Sequence, residues 1–183
     1  MRPNQYLSEW LENNSNSKHY IFSLQDLRSL FPNLKQSAFK TLISRSVKLN
    51  ILTRVCRGIY IYNKQYKPDG LLLYHVVAIL RANDFNYISL ETVLSDKGII
   101  SQMPINYISI MSSGRSNIID CGVFGRIEFI HTDKKPAILV DHIYYDKQCK
   151  LWRANVSLAL KDMKDTNRNS DLIDWELANE LIR

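Results

Sequence analysis

Between Phe39 and Tyr62 the apolar residues change their spacing, and that change leaves few local folds open. Phe39, Leu42, Ile43 and Val47 recur at intervals of three and four, which places them on one stripe of a helix. Residues 51–55 (ILTRV) and 59–62 (IYIY) are instead short β-branched and aromatic runs, with Cys56-Arg57-Gly58 between them. Gly58 can take the positive φ that a tight turn demands, so the two runs read as a hairpin with Arg57 at its tip and Arg54 on the rising strand. Leu49-Asn50 closes the helix before it.

Upstream, residues 5–13 carry Tyr6, Leu7, Trp10 and Leu11 at helical spacing, and the polar run 13–18 ends that first helix. His19-Tyr20-Ile21-Phe22 is β-prone. Ser23 then stands as an N-cap with Asp26 three residues on, and Leu24, Leu27, Leu30 and Phe31 continue a short second helix until Pro32 stops it. The third helix follows Pro32-Asn33, with Ser37 as its expected cap. Its apolar stripe turns toward the first two helices, and its other face carries Gln36, Ser37, Lys40, Thr41, Ser44, Arg45 and Lys48. Helix, short strand, helix, turn, helix and two-stranded ribbon is the order of a winged helix-turn-helix.

The charge follows the same segment. Residues 1–63 hold nine bases (Arg2, Lys18, Arg28, Lys35, Lys40, Arg45, Lys48, Arg54, Arg57) and three acids (Glu9, Glu12, Asp26), so they carry the whole net charge of +6 and the remainder is balanced. No carboxylate occurs between Leu27 and Asn63. An acid-free cationic face attracts a polyanion, and lysine or arginine on phosphates beside glutamine, serine, threonine or arginine on base edges is the mixture that reads a duplex groove. The expected DNA-contacting set is Gln36, Ser37, Lys40, Thr41, Ser44 and Arg45 toward the groove, with Lys35, Lys48, Arg54 and Arg57 on the backbone. The competing readings are a basic surface kept for solubility and an edge ribbon whose arginines deter strand addition.

The fold class expected is α+β: a winged helix-turn-helix over 1–63, a linker at 64–70 where Lys, Pro and Gly cluster, and a small mixed α/β domain over 71–183. In that second part residues 71–82 read as a buried helix and Ser89–Lys97 as a capped helix ended by Gly98. Residues 106–111, 125–131 and 137–145 read as strands, and 152–164 and 171–182 as helices. Cys56, Cys121 and Cys149 are far apart, with no CxxC pair, which suggests neither a disulfide framework nor a zinc site. His19, His75, His131 and His142 have no adjacent nucleophile or acid arranged as a relay, and Asp120 with Glu128 lacks the lysine that a metal-dependent nuclease core would want. No enzyme activity, cofactor or metal is expected. With no apolar run of membrane-spanning length and no secretory signal, a cytoplasmic protein is expected.

Two blocks, Arg54-Val55-Cys56-Arg57-Gly58-Ile59-Tyr60 and Tyr87-Ile88-Ser89-Leu90-Glu91-Thr92-Val93-Leu94-Ser95-Asp96-Lys97-Gly98-Ile99-Ile100, resemble the AbiEi-type antitoxins of bacterial type IV toxin–antitoxin systems. In that family similar blocks close the wing and open the second domain. Residues 107–110 with Ser113-Gly114-Arg115, and Ile127–His131, are similar to the strands that follow. The resemblance implies a transcriptional repressor that binds double-stranded DNA at operator repeats upstream of its own operon. It further implies a second domain that counteracts a nucleotidyltransferase-like toxin, often without a stable complex. The alternative expectation is a winged-helix protein-interaction module without antitoxin activity.

Overall fold

The computed structural model describes residues 2–101 and 105–182. The protein mixes helices with sheet, an α+β composition, and divides into two compact units, one ending at Asp69 and the other beginning at Gly70.

In the first unit the order is α1 (Pro3–Asn14), β1 (Ile21–Ser23), α2 (Leu24–Ser29), α3 (Gln36–Lys48), β2 (Leu52–Cys56) and β3 (Ile59–Tyr62). The three strands form one antiparallel sheet in the order β1-β3-β2. Leu7 and Leu11 of α1, Leu27 of α2, and Phe39, Leu42 and Ile43 of α3 join Phe22, Leu52, Tyr60 and Tyr62 in a single core. Burial of these side chains, at about 1.5–3 kcal/mol each, is what holds such short elements in place. Ser23 caps α2 reciprocally with Asp26: the Asp26 N–H donates to the Ser23 hydroxyl at 3.1 Å and the Ser23 N–H donates to the Asp26 carboxylate at 2.8 Å. Past the third strand, Lys64 pairs with Glu12 at 2.8 Å and the Tyr66 ring lies 5.9 Å from that of Tyr20. The stretch expected as a linker therefore begins as part of the first unit.

The second unit contains α4 (Leu72–Leu80), β4 (Asn86–Ile88), α5 (Leu90–Asp96), β5 (Tyr107–Ser112), β6 (Asn117–Asp120), β7 (Arg126–His131), α6 (Pro136–Leu139), β8 (Ile143–Asp146), β9 (Leu151–Ala154), α7 (Val156–Asp165) and α8 (Trp175–Ile182). Its six strands form a mixed sheet in the order β6-β7-β5-β4-β9-β8, parallel at β5/β7 and β4/β9 and antiparallel elsewhere.

Four expectations for this unit need correction. The last helix, expected over 171–182, begins only at Trp175. Residues 137–145 are not one strand, because Pro136 sits in the first turn of the short helix α6 and the strand begins only at Ile143. Residues 152–154 are strand rather than helix, and α7 starts after Asn155, whose side chain accepts the Leu158 N–H at 2.9 Å. Ser89 precedes α5 without capping it: its hydroxyl donates to Asp162 at 2.6 Å instead.

Buried charge in the second unit is paired. Asp162, fully buried, also accepts from Lys134 at 2.6 Å. Arg153, on β9, donates to Asp96 at 2.5 Å, to Asp146 at 3.1 Å and to the Cys149 sulfur at 3.4 Å. Burial pushes the Cys149 thiol up to about 11 despite that guanidinium.

Candidate nucleic-acid interface

The third helix is aimed by its own core residues and by Arg28. Phe39, Leu42, Ile43 and Ser46 are buried along one side of α3. At about 100° per residue the opposite direction is occupied by Ser37, Thr41, Ser44 and Lys48, with Lys40 on one flank and Arg45 on the other. The same geometry corrects the expected apolar stripe. Val47 falls on a flank and is 37% exposed, while Ser46 takes the inward position and satisfies its hydroxyl on the Leu42 carbonyl at 3.0 Å.

Arg28 locks the α2–α3 turn. Its guanidinium donates to the carbonyls of Phe31 and Leu34, the latter at 2.8 Å, and lies 5.2 Å from the centre of the Phe39 ring. Of the bases in the acid-free segment, this one is structural.

All ten expected contact residues, Lys35, Gln36, Ser37, Lys40, Thr41, Ser44, Arg45, Lys48, Arg54 and Arg57, are exposed. Eight of them share α3 and its N-cap, and the other two share the hairpin. Two details differ from expectation. The helix starts at Gln36 with Lys35 as N-cap, so Ser37 lies inside the first turn and does not cap it. The Thr41 hydroxyl donates to the Ser37 carbonyl at 3.0 Å, which leaves it an acceptor toward solvent.

The hairpin turns over two residues, Arg57 and Gly58, with Gly58 at φ +80°. Arg57 is exposed at that tip. The pairing shifts register between Arg54 and Cys56, a bulge that inserts Val55, and the Arg54 Nε donates to the Cys56 carbonyl at 3.2 Å. That bond spends one donor of the guanidinium and holds the side chain along its own strand, with the terminal nitrogens free to reach a phosphate.

Among the described residues, none of the six lysines and arginines in this set forms an ion pair with a carboxylate. The acids of this unit are occupied elsewhere or lie off the segment: Asp26 caps α2 and Glu12 pairs with Lys64. A surface of uncompensated cations, backed by a packed core, offers donors and positive charge with no internal partner to displace.

One feature of the surface escapes sequence reasoning. Arg2, Pro3 and Asn4 at the start of α1 face Leu34, Ala38, Thr41, Leu42 and Arg45 across a cleft of about 530 Å³. Nothing in the spacing of residues 2 and 45 indicates that they meet.

Elsewhere the groups considered for catalysis have structural partners. Asp120 accepts the Gly122 N–H at 2.8 Å and lies 3.9 Å from Arg126, and Glu128 pairs with Arg168 at 2.6 Å. His75 meets the Gln148 carbonyl at 2.7 Å, and His131 meets the Gly114 carbonyl and Asp133 at 2.9 and 3.0 Å. Among the described residues no group of three or more His, Cys, Asp or Glu is placed to hold a metal ion, and no helix is long and apolar enough to cross a membrane.

Neither any family model nor any curated protein matches the chain.

Proposed function

We propose that the first unit is a winged helix-turn-helix that binds double-stranded DNA, and that the protein is a transcriptional regulator rather than an enzyme. In this reading α3 enters the major groove with Gln36, Ser37, Lys40, Thr41, Ser44 and Arg45 toward the bases, while Lys35, Lys48, Arg54 and Arg57 engage phosphates. The hairpin is the wing, and its tip, Arg57-Gly58, lies against the backbone or in the minor groove. The single observation that carries the proposal is the exposure, without a carboxylate partner, of every base in that set. A surface maintained only for solubility ordinarily intersperses acids with bases, and a strip from Leu27 to Asn63 without one does not follow that habit.

The resemblance to AbiEi-type antitoxins extends the proposal. The regulator represses its own operon from operator repeats, and the second unit counteracts a nucleotidyltransferase-like toxin. The supporting segments lie on defined elements: the first block spans β2 and the turn into β3, and the second spans β4, α5 and the glycine-ended turn after it.

Binding of the full chain to the DNA upstream of its own gene, against random duplex of equal length and at raised salt, tests the function. A regulator keeps its preference for the upstream segment as salt weakens both. Equal, weak binding to the two favours the interaction-module reading.

A further inference from the structure

Building on the DNA-binding reading, we infer that the cleft between the start of α1 and α3 takes a phosphodiester of the DNA backbone, with Arg2 and Arg45 as its two cationic jaws. The cleft is lined by Arg2, Asn4, Thr41 and Arg45 on its polar side and by Pro3, Leu34, Ala38 and Leu42 on its apolar side. Neither the Arg2 nor the Arg45 guanidinium has an ion-pair partner among the described residues. Two guanidiniums that share one hollow repel each other, and a bound anion relieves that repulsion while accepting several N–H donors at once.

The shape narrows the anion further. At about 530 Å³ the cleft is far larger than a phosphate ion, and half of its lining residues are apolar. A phosphate joined to a sugar fits that division, with the charged oxygens on the arginines and the Asn4 amide, and the deoxyribose over Ala38, Leu34 and Pro3. The Thr41 hydroxyl, which donates to Ser37, does not serve as a phosphate donor here and contributes its methyl face. Position also favours a backbone phosphate. Arg45 lies on the flank of α3 away from Lys40, so a duplex met by Ser37, Thr41 and Ser44 would present one phosphate strand to Lys40 and the other to this cleft. Lys40 and Arg45 thereby move from the groove to the backbone, and Arg2 and Asn4 join the interface.

The test is the salt dependence of duplex binding by the full chain, compared among the natural protein, Arg2→Ala, Arg2→Lys and Lys40→Ala. Each phosphate contact contributes about 0.9 to the slope of log K against log salt, which amounts to about fivefold in affinity at 0.15 M salt. Arg2→Ala should therefore lower the slope by about one, weaken every duplex sequence about fivefold, and leave sequence preference intact. Arg2→Lys, which keeps the charge, should restore most of the slope. If Lys40→Ala weakens binding while Arg2→Ala matches the natural protein, the cleft assignment fails and the DNA-binding reading stands. If the natural protein shows no salt-dependent duplex binding, both fall. A parallel titration with thymidine 5′-monophosphate, followed by thermal shift, checks for a free ligand. Stabilisation by the mononucleotide that is lost in Arg2→Ala, with the duplex slope unchanged, would overturn the assignment to DNA backbone.

Discussion

Arg28 provides a prediction that separates a base holding the fold from a base facing DNA. Replacing it with alanine removes two charge-assisted hydrogen bonds, to the carbonyls of Phe31 and Leu34, and uncovers the face of the Phe39 ring. Hydrogen bonds to a charged group contribute about 1.5–3 kcal/mol each when well shielded. Arg28 is only half-buried, and its carbonyl partners can find water once the side chain is gone, so about 2 kcal/mol in total is expected. For a domain of this size that lowers Tm by about 10 °C. Thermal unfolding of Arg28→Ala, beside Arg45→Ala as the exposed comparison, measures it by circular dichroism. Arg45→Ala should melt within a degree or two of the natural protein, since an exposed side chain without partners contributes about 0.5 kcal/mol at most. In duplex binding well below the transition the order reverses: Arg45→Ala loses affinity and salt slope, and Arg28→Ala keeps its slope. An Arg28→Ala protein that melts with the natural one, or that loses slope as Arg45→Ala does, would refute the division of labour.

Three further outcomes follow from the geometry. Gly58→Ala places a side chain at φ +80° in the hairpin turn and should cost about 1–2 kcal/mol, seen as a lower Tm together with weaker duplex binding; unchanged values would show that the turn relaxes freely. Asp162→Ala removes the buried carboxylate that accepts from Lys134 and Ser89, leaves Lys134 with Asp165 alone and should destabilise the second unit by about 1–3 kcal/mol in urea unfolding, with a null effect arguing against the pairing. The hydrogen bond from Lys134 holds the Asp165 carboxyl below the usual carboxylate range. A depressed folded pKa gives stability that is present above the ordinary value of about 4 and lost as pH falls through the folded one, so Asp165→Asn should flatten the acid limb of a Tm–pH curve. An unaltered limb would contradict this.

Sequence periodicity marks α1, α2, α3 and the hairpin because each of those elements is short, amphipathic and set off by recognisable residues: the polar run 13–18, Pro32, Leu49-Asn50 and the turn at Gly58. The Ser23–Asp26 box was legible for the same reason: capping depends on neighbours three residues apart. Legibility failed where tertiary partners decide. Arg153 reads as a polar helical position, yet it is buried on β9 by Asp96 and Asp146, residues 57 and 7 positions away. The true boundary, Asn155 capping α7, was present in the sequence but was masked by the apolar Leu151 and Trp152 before it. Strand β6 is a four-residue edge, too short for its alternation to stand out from the turn-rich residues around it. At the candidate interface, exposure of the α3 and hairpin cations could be read from the helical stripe and the turn. The cleft could not, because it depends on α1 and α3 meeting in tertiary structure, where Leu7, Leu11, Leu42 and Ile43 share one core.

DNA binding by this surface depends most directly on Lys40, Arg45 and Arg57, and the triple alanine variant of the full chain measures that dependence in one duplex titration at 0.15 M salt. Three phosphate contacts at about fivefold each predict a loss of about 100-fold in affinity, with Tm held within about 2 °C because all three side chains are exposed. Duplex affinity within threefold of the natural protein, at an unchanged Tm, would contradict the claim that this acid-free surface is what binds DNA.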